Sequence, residues 1–344
     1  MTAPAVVGID IGGTKISLCA AGPSGEILAV QKIATGSQDG AATVVDRFTT
    51  AAAALVDEVE GRCGVQVRGV GLVSPGVVRP DGVQLAPNNL GWEDLPLVAT
   101  VRERLGVDAV EADNDAKGAT AAEGRWGALA GVSDGILVNL GTGFSAGAIC
   151  GGALLRGAHG AALEIAYQVP SDGPLCGFGD GRAPLEEAFS GAGLQAAASD
   201  LLGRPTDAEK VFRAITAIRG RHAGTGPTGD TGRLAALGER ALDVAARAVA
   251  NLAVALDPEV VALSGGMLLS ADVIVPSFTA TLARLVPFPP RLVMARFAGH
   301  APLAGACLLA YRAAAIPPPD DLAIDLAIDR GQPSGNPVAS EEQP

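Results

Sequence analysis

Residues 5–15 read Ala-Val-Val-Gly-Ile-Asp-Ile-Gly-Gly-Thr-Lys, and apolar runs over 5–11 and 15–21 stand on either side of Gly12-Gly13. This pattern predicts a strand, a tight turn and a second strand. Glycines in such a turn let the backbone approach an anion, and their N–H groups can hold phosphate oxygens. Thr14 adds a hydroxyl donor, and Asp10 could hold Mg²⁺ directly or through water. The alternative is an ordinary hairpin turn.

The same strand–turn–strand pattern returns at Gly135-Ile-Leu-Val-Asn-Leu-Gly-Thr-Gly143, which indicates an internal duplication. Here Gly141, Gly143 and Ala146 also satisfy the relaxed dinucleotide-binding pattern G-x-G-x-x-G/A, which would point to a nicotinamide-dependent dehydrogenase. That pattern requires a helix to begin at the motif, and the glycines that follow make a helix unfavourable. We therefore predict a β-hairpin, with the dehydrogenase kept as an alternative.

A cluster of carboxylates lies between the two glycine turns, in Glu111-Ala-Asp-Asn-Asp-Ala116. The pattern predicts a strand over 108–112 that delivers this cluster to a helix over 115–128. Asp113 or Asp115 could simply cap the helix. The carboxyl end of a strand is also where α/β folds place their active sites, so a carboxylate there is a candidate catalytic group. A kinase needs one such carboxylate to receive the proton of the attacking hydroxyl.

Three further features carry chemistry. A strand from Val260 ends in a third glycine turn, Ser264-Gly265-Gly266. The segment 85–92 offers amide side chains, which suit vicinal hydroxyl groups. Glu164 stands among small apolar residues, where a carboxylate needs partners, and sugar hydroxyls or an internal salt bridge would supply them.

The composition limits the classes of partner. The chain of 344 residues has a net charge of −12, which argues against broad binding of nucleic acids or anionic membranes, because such binding needs a basic face. A local site for a phosphorylated ligand is compatible with this charge. Five widely spaced cysteines and an N-terminus without a basic region predict a protein of the reducing cytoplasm. The uncharged segment 136–155 contains many glycines and predicts buried strands rather than a membrane helix.

Three glycine turns after strands, with a carboxylate cluster between them, resemble the ROK family of sugar kinases from about residue 5 to residue 314. The resemblance implies an α/β architecture of two duplicated lobes, the actin/hexokinase-like (ribonuclease H-like) ATPase fold. It implies a small lobe over 1–116, with a last helix near 301–315 packing back onto it, and a large lobe over 117–300. We expect the tail over 317–344 to be disordered. A homodimer is a further implication.

The family motifs assign roles to particular positions. Asp115 matches the general base. The ATP site is matched by Asp10, Gly12, Gly13, Thr14 and Lys15 of the first turn, Gly141, Thr142 and Gly143 of the second, and Gly265 and Gly266 of the third. The acceptor site is matched by Gly76, Asn88, Asn114, Glu164 and Glu186. The implied activity is an ATP- and Mg²⁺-dependent phosphotransferase, and the alternative is a non-catalytic sugar sensor or regulator of the same fold.

Two departures from the family pattern bear on the acceptor. The family's Glu-Ile-Gly-His is Glu164-Ile-Ala-Tyr167 here, and its zinc-binding cysteine cluster is reduced to a single cysteine, Cys176. One cysteine without a histidine cannot make a four-ligand zinc site, so we predict no structural zinc. In family hexokinases the histidine also touches hydroxyls at the anomeric end of the sugar. A hexose and a hexose-like C7-cyclitol, phosphorylated at a primary hydroxyl, are therefore both retained as acceptors.

Overall fold

The computed structural model describes residues 2–86, 92–171, 173–220 and 229–324, and it contains two five-stranded sheets. The first sheet has the order β3-β2-β1-β4-β7. Strand β1 runs parallel to β4, and β4 runs parallel to β7, whereas β2 and β3 are antiparallel additions. Their bounds are Ala3–Ile11 (β1), Lys15–Ala21 (β2), Ile27–Ala34 (β3), Val65–Ser74 (β4) and Val110–Asn114 (β7); β5 (Val77–Arg79) and β6 (Gly82–Leu85) form a separate hairpin.

The second sheet repeats this arrangement in the order β10-β9-β8-β11-β12. Strands β8 and β9 are antiparallel and meet at the second glycine turn, and β10 is antiparallel to β9, whereas β8, β11 and β12 are parallel. The strands are Gly135–Leu140 (β8), Phe144–Cys150 (β9), Ala153–Leu154 (β10), Val260–Ser264 (β11) and Arg291–Met294 (β12). The repeated strand order confirms the predicted α/β fold with two duplicated lobes.

Helices cover both sheets. Two of them, α1 (Ala41–Cys63) and α2 (Leu97–Leu105), form a core with one face of the first sheet. Four others cover the far face of the second sheet: α5 (Gly191–Leu202), α6 (Ala208–Arg219), α7 (Gly229–Leu256) and α8 (Ala271–Leu285), with the short α4 (Pro184–Ala188) beside them. The remaining helices, α3 (Asp115–Trp126) and α9 (Ala301–Ala313), lie between the two sheets.

The alternation of side chains in the strands explains why the first sheet has helices on both faces. In β2, Leu18 and Ala20 enter the core under α1, whereas Cys19 and Ala21 enter the core shared with α9. Helices α3 and α9 cross very closely, because a Cβ atom at Gly305 would stand 2.2 Å from the backbone of Gly118. Helix α3 also contacts strands of both sheets, and the division of the chain at 116/117 remains a prediction.

Two sequence-based expectations about loops need correction. The tail is ordered over 317–324, because Leu322 and Ile324 are fully buried and Trp126 donates a 2.8 Å hydrogen bond to the carbonyl of Pro319. The apolar side chains of this segment enter the core between the sheets, which composition alone did not indicate. The Gly- and Thr-rich sequence over 219–232 also predicts a mobile loop, and this prediction is too long, since α6 ends at Arg219 and α7 begins at Gly229.

One segment of the described residues, Gly266–Leu285, is long and apolar enough by composition to cross a membrane. A core helix passes the same test, and α8 within this segment places Val273, Ile274, Phe278 and Leu282 in the core of the second lobe. The segment is therefore weak evidence for a membrane span. The uncharged stretch 136–155 forms β8, β9 and β10, as the sequence predicted.

Candidate active site

The first glycine turn joins β1 to β2 at the edge of the sheet where the parallel strands end. The Gly12 amide donates to the carbonyl of Lys15 at 3.0 Å, and the Thr35 hydroxyl donates to the carbonyl of Gly12 at 2.7 Å. A Cβ atom at Gly13 would meet nothing within 4 Å. The hydrogen bond from Thr35 thus stabilises the turn, and Gly13 faces open space.

The second glycine turn is braced by two helices. The amides of Gly191 and Ala192, at the start of α5, donate to the carbonyls of Gly141 and Thr142 at 2.9 and 3.1 Å. Glu186 of α4 accepts a 2.9 Å hydrogen bond from the amide of Phe144. Because the turn joins antiparallel strands and no helix begins there, it does not have the geometry that a dinucleotide fingerprint requires.

The third glycine turn packs against the second. Gly265 has φ +101°, and a Cβ atom there would stand 2.3 Å from the carbonyl oxygen of Leu140. The hydroxyl of Ser264 donates to the carbonyl of Ala298 at 2.8 Å. Both the close approach and the positive φ require glycine at position 265. A Cβ atom at Gly266 would again meet open space.

A cleft of about 690 Å³ brings residues of all three turns together. The first turn contributes Lys15, the second Gly141 and Thr142, and the third Gly265 and Gly266. The rest of the lining includes Asn139, Gln195, Phe212, Met267 and Gly299. Apolar side chains beside glycine backbone suit a flat heterocycle joined to phosphate groups, and the volume lies in the range of ligand sites.

The predicted catalytic cluster lies at the neighbouring strand ends. Asn114 ends β7 in register with Ser74 at the end of β4. The Asn114 amide donates to the carbonyl of Gly76 at 2.8 Å, and its oxygen accepts from the backbone amide of Lys117 at 3.1 Å. Asn114 is therefore the helix cap, and the alternative that Asp113 or Asp115 fills this role is wrong. The Asp115 side chain accepts from the amide of Ala116 at 2.8 Å.

Position 76 carries a backbone constraint of its own. Gly76 has φ +92°, and a Cβ atom there would stand 2.2 Å from the carbonyl oxygen of Leu85. The Pro-Gly turn thus lies directly against the β5–β6 hairpin. Asn88, the remaining predicted acceptor residue of this region, lies outside the described residues.

Carboxylates from different elements gather around Asp115. Burial and the charge of Asp115 raise the pKa of Asp10 to about 7, against the opposing effect of Lys15. Burial also raises the pKa of Asp115 to about 6; Lys117 opposes this rise and Glu186 adds to it. Asp115 thus interacts electrostatically with Asp10 on β1 and with Glu186 on α4.

Glu164 lies on the loop after β10 and joins the same cluster. Its Oε1 atom stands 3.6 Å from the Nζ atom of Lys117. Burial raises the pKa of Glu164, Lys117 opposes this, and Asp115 and Glu186 add to it. The sequence indicated that Glu164 needs partners, and the structure supplies a buried lysine as one of them.

Tyr167 and the shortened cysteine loop pack through an aromatic pair. The rings of Tyr167 and Phe178 meet edge to face, with their centroids 5.4 Å apart. Burial and the charges of Glu164 and Glu186 raise the pKa of the Tyr167 phenol, which places it beside the carboxylate cluster. Within the described parts of the chain, no group of three or more His, Cys, Asp or Glu residues is arranged to hold a metal ion.

Several residues of the cleft escaped the sequence interpretation. Lys117 had a signal, since it is a lone lysine in a helix start that is otherwise small or acidic. The start of α5, which braces the second turn, had none, because it lies far along the chain from Gly141. Phe212 and Met267 line the cleft but look like ordinary core residues in the sequence.

Comparison with known proteins relates most of the chain to one family. The model of the ROK family matches residues 6–313. A glucokinase of Halalkalibacterium halodurans is 31% identical over 279 residues, which cover 77% of this chain and 81% of the relative. An N-acetylmannosamine kinase of Shigella boydii is 32% identical over 309 residues, covering 88% and 97%. The structure of a ROK family glucokinase from Streptomyces griseus in complex with glucose and AMPPNP matches with a TM-score of 0.70 at 29% identity, covering 90% and 99%.

Proposed function

The chain belongs to the ROK family, and from this premise we propose that it is an ATP-dependent kinase for a primary hydroxyl group of a hexose or hexose-like C7-cyclitol. The observation that carries the proposal is the position of Asp115. Its carboxylate lies within electrostatic range of Asp10 in the first glycine turn and of Glu186 beside the second. A proton acceptor thus stands beside the turns that would hold a triphosphate.

The proposed reaction is a direct transfer. The acceptor's primary hydroxyl oxygen forms a bond to the γ-phosphorus of ATP while its proton passes to the Asp115 carboxylate. The bond between the γ-phosphorus and the β,γ-bridging oxygen breaks, and ADP leaves with that electron pair. Because the pKa of Asp115 is about 6, the group is ionised at neutral pH yet more basic than an ordinary carboxylate, as suits a general base.

The glycine turns supply the donor side of this reaction. The amides of Gly12 and Gly141 donate within their own turns, so those of Gly13 and Gly143 would hold phosphate oxygens, with the Thr14 and Thr142 hydroxyls and Lys15 as further donors. The adenosine would lie along Gly265 and Gly266, in the part of the cleft lined by Phe212 and Met267.

The residues present fit a magnesium ion held jointly with ATP. Asp10 offers carboxylate oxygens close to the charge of Asp115; burial first, and then that charge, raises the pKa of Asp10. Mg²⁺ in phosphoryl-transfer sites is commonly bound by one or two carboxylates together with substrate phosphates. Bound there, the ion would offset the charge of the transferring phosphoryl group.

The acceptor would lie beside Gly76, Asn88, Asn114, Glu164 and Glu186. The glucokinase and N-acetylmannosamine kinase relatives support a hexose-like acceptor. Tyr167, at the position of the family histidine that reaches the anomeric end, supports extending the acceptors to rings without an ordinary anomeric centre.

An ATP-coupled assay over hexoses, N-acyl hexosamines and C7-cyclitols tests the proposal. We expect one class to be phosphorylated with a kcat/KM well above that of the others. Phosphorylation of a cyclitol but not of glucose would assign the narrower acceptor. Failure of every acceptor, combined with measurable sugar binding, would replace the kinase with the sensor or regulator alternative.

A further inference from the structure

Lys117 is a buried cation at the edge of the proposed acceptor site. It lies in the first turn of α3, two residues after Asp115, and its side chain is 1% exposed. Lysine is almost never fully buried unless it is paired, because the ammonium group loses its hydration. The burial of Lys117 therefore requires a compensating partner inside the molecule.

The partner is Glu164, which has a different environment. Its Oε1 atom stands 3.6 Å from the Lys117 Nζ atom, yet the Glu164 side chain is 27% exposed. Lys117 is thus enclosed by the protein, whereas part of the Glu164 side chain is exposed. A buried ammonium beside a partly exposed carboxylate stabilises the ionised form of that carboxylate while itself staying out of reach of a ligand.

The surrounding charges make such a partner necessary. Asp115 on α3 interacts with Asp10 on β1, with Glu164 after β10 and with Glu186 on α4. Glu164 also interacts with Glu186, and Tyr167 lies beside these two glutamates. Every one of these carboxylates raises the cost of ionising its neighbours. Lys117 opposes this effect at both Glu164 and Asp115, and Lys15 opposes it at Asp10.

We propose that Lys117 is a positioning residue whose ammonium keeps the Glu164 carboxylate ionised and directed into the cleft, where it accepts hydrogen bonds from the hydroxyl groups of a polyhydroxy ligand. The ligand class rests on the proposed function, because the same loop would hold the kinase acceptor. Lys117 itself is enclosed and acts through Glu164 rather than on the ligand.

The backbone of α3 supports this assignment. The Asn114 side chain caps the helix by accepting from the Lys117 amide at 3.1 Å and donates to Gly76 at 2.8 Å. The cap thereby fixes the start of the lysine side chain relative to the Pro-Gly turn. A lysine held at its base and paired at its tip leaves Glu164 little freedom to rotate away from the cleft.

A titration that needs no turnover tests the charge relation. The side-chain carboxyl ¹³C shift of Glu164, assigned by comparison with Glu164→Gln, is followed against pH in the wild type, Lys117→Met and Lys117→Arg. We expect Lys117→Met to raise the pKa of Glu164 by about 1 to 3 and Lys117→Arg to restore most of the wild-type value. The exposed Lys210, changed to Met, serves as the matched control and should leave the titration unchanged.

Kinetics with the acceptor found by the activity screen test the positioning. In Lys117→Met we expect the KM for the acceptor to rise about tenfold near neutral pH, equivalent to one weakened charge-assisted hydrogen bond. The KM for ATP should stay within about twofold, because the donor end is untouched, and Lys117→Arg should recover the acceptor KM.

The outcomes separate this inference from the proposed function. A folded Lys117→Met with an unchanged Glu164 titration overturns the inference. A shifted titration in a chain that phosphorylates nothing leaves the charge relation standing and rejects the kinase. If Lys117→Met does not fold, the double variant Lys117→Met/Glu164→Gln decides: recovery of the folded protein supports the pairing, and failure assigns Lys117 to packing alone.

Discussion

The two copies of the strand–glycine-turn device differ at one equivalent position. Asp10 is the last residue but one of β1, and Asn139 is the last but one of β8. Asp10 interacts with the carboxylate of Asp115, whereas Asn139 lines the donor end of the cleft beside Gly265. We call Asp10 and Asp115 the charged wall, and Asn139, Gly265 and Gly266 the neutral wall. Glu186 of α4, beside the second turn, adds its charge to the charged wall.

This difference shows how a duplicated fold acquires two chemistries. The repeated sheet order brings both turns to the ends of strands, where backbone amides face a ligand. A carboxylate next to the phosphate groups is useful only where a cation or proton transfer accompanies it. Elsewhere it would repel the triphosphate, and an amide avoids that cost.

The largest expected effect comes from removing the proton acceptor on the charged wall. Asp115→Asn keeps the size of the side chain but removes its basic oxygen, so kcat should fall by about 10²–10⁴-fold. The KM for ATP should change little, because the neutral wall is intact. Steady-state kinetics with a thermal unfolding control test this, and near-normal turnover would reject Asp115 as the general base.

On the neutral wall, the adjacent glycines should respond differently to the same substitution. Gly265→Ala places a methyl group 2.3 Å from a carbonyl oxygen at a positive φ, so the free energy of unfolding should fall by about 1–3 kcal/mol. Gly266→Ala meets open space, so it should weaken ATP binding with little loss of stability. Chemical denaturation and ATP titration of both variants make the test, and equal destabilisation by the two would contradict it.

Making the two walls alike should weaken donor binding. Asn139→Asp adds a negative charge to the donor end of the cleft, and we expect the KM for ATP to rise about tenfold, or about 1.4 kcal/mol. Asn139→Ala is the control, because it removes the amide without adding charge. The idea fails if Asn139→Asp and Asn139→Ala have the same KM for ATP.

The pH dependence should report the charged wall alone. Because the pKa of Asp115 is about 6, kcat/KM should fall to about half near pH 6 and decline further in more acidic solution. The raised folded-state pKa values of Asp10 and Asp115 also mean that the folded chain binds more protons than the unfolded chain between about pH 4 and 7. Their contribution to the free energy of unfolding should therefore increase as the pH falls through that range.

Denaturation of the wild type and Asp115→Asn at several pH values checks the sign of this contribution. Asp115→Asn should lose the contribution that the raised pKa of Asp115 makes to the free energy of unfolding. Its free energy of unfolding should therefore increase less steeply than that of the wild type as the pH falls. A variant curve parallel to that of the wild type would show that Asp115 titrates at an ordinary pKa in the folded chain.

The features that the sequence predicted correctly are those that depend on residues close together in the chain. Apolar runs beside glycines identified the turns near Gly12, Gly141 and Gly265, because strand and turn propensities act over a few residues. The alternative that Asp113 or Asp115 caps the helix also depends on neighbouring residues, and it was wrong. Three polar residues in succession could all cap, and the contact of Asn114 with Gly76 favours it over Asp113 and Asp115.

The sequence by itself therefore determined that the chain repeats a strand–turn–strand device and carries a carboxylate cluster between the copies. Only the tertiary structure decided which distant groups meet there. The pairing of Lys117 with Glu164 and the bracing of Gly141 by Gly191 depend on loops and helices far apart in the chain. The packing of Leu322 between the sheets is of the same kind. Such contacts follow from how whole lobes close around their cores, which no local pattern of residues specifies.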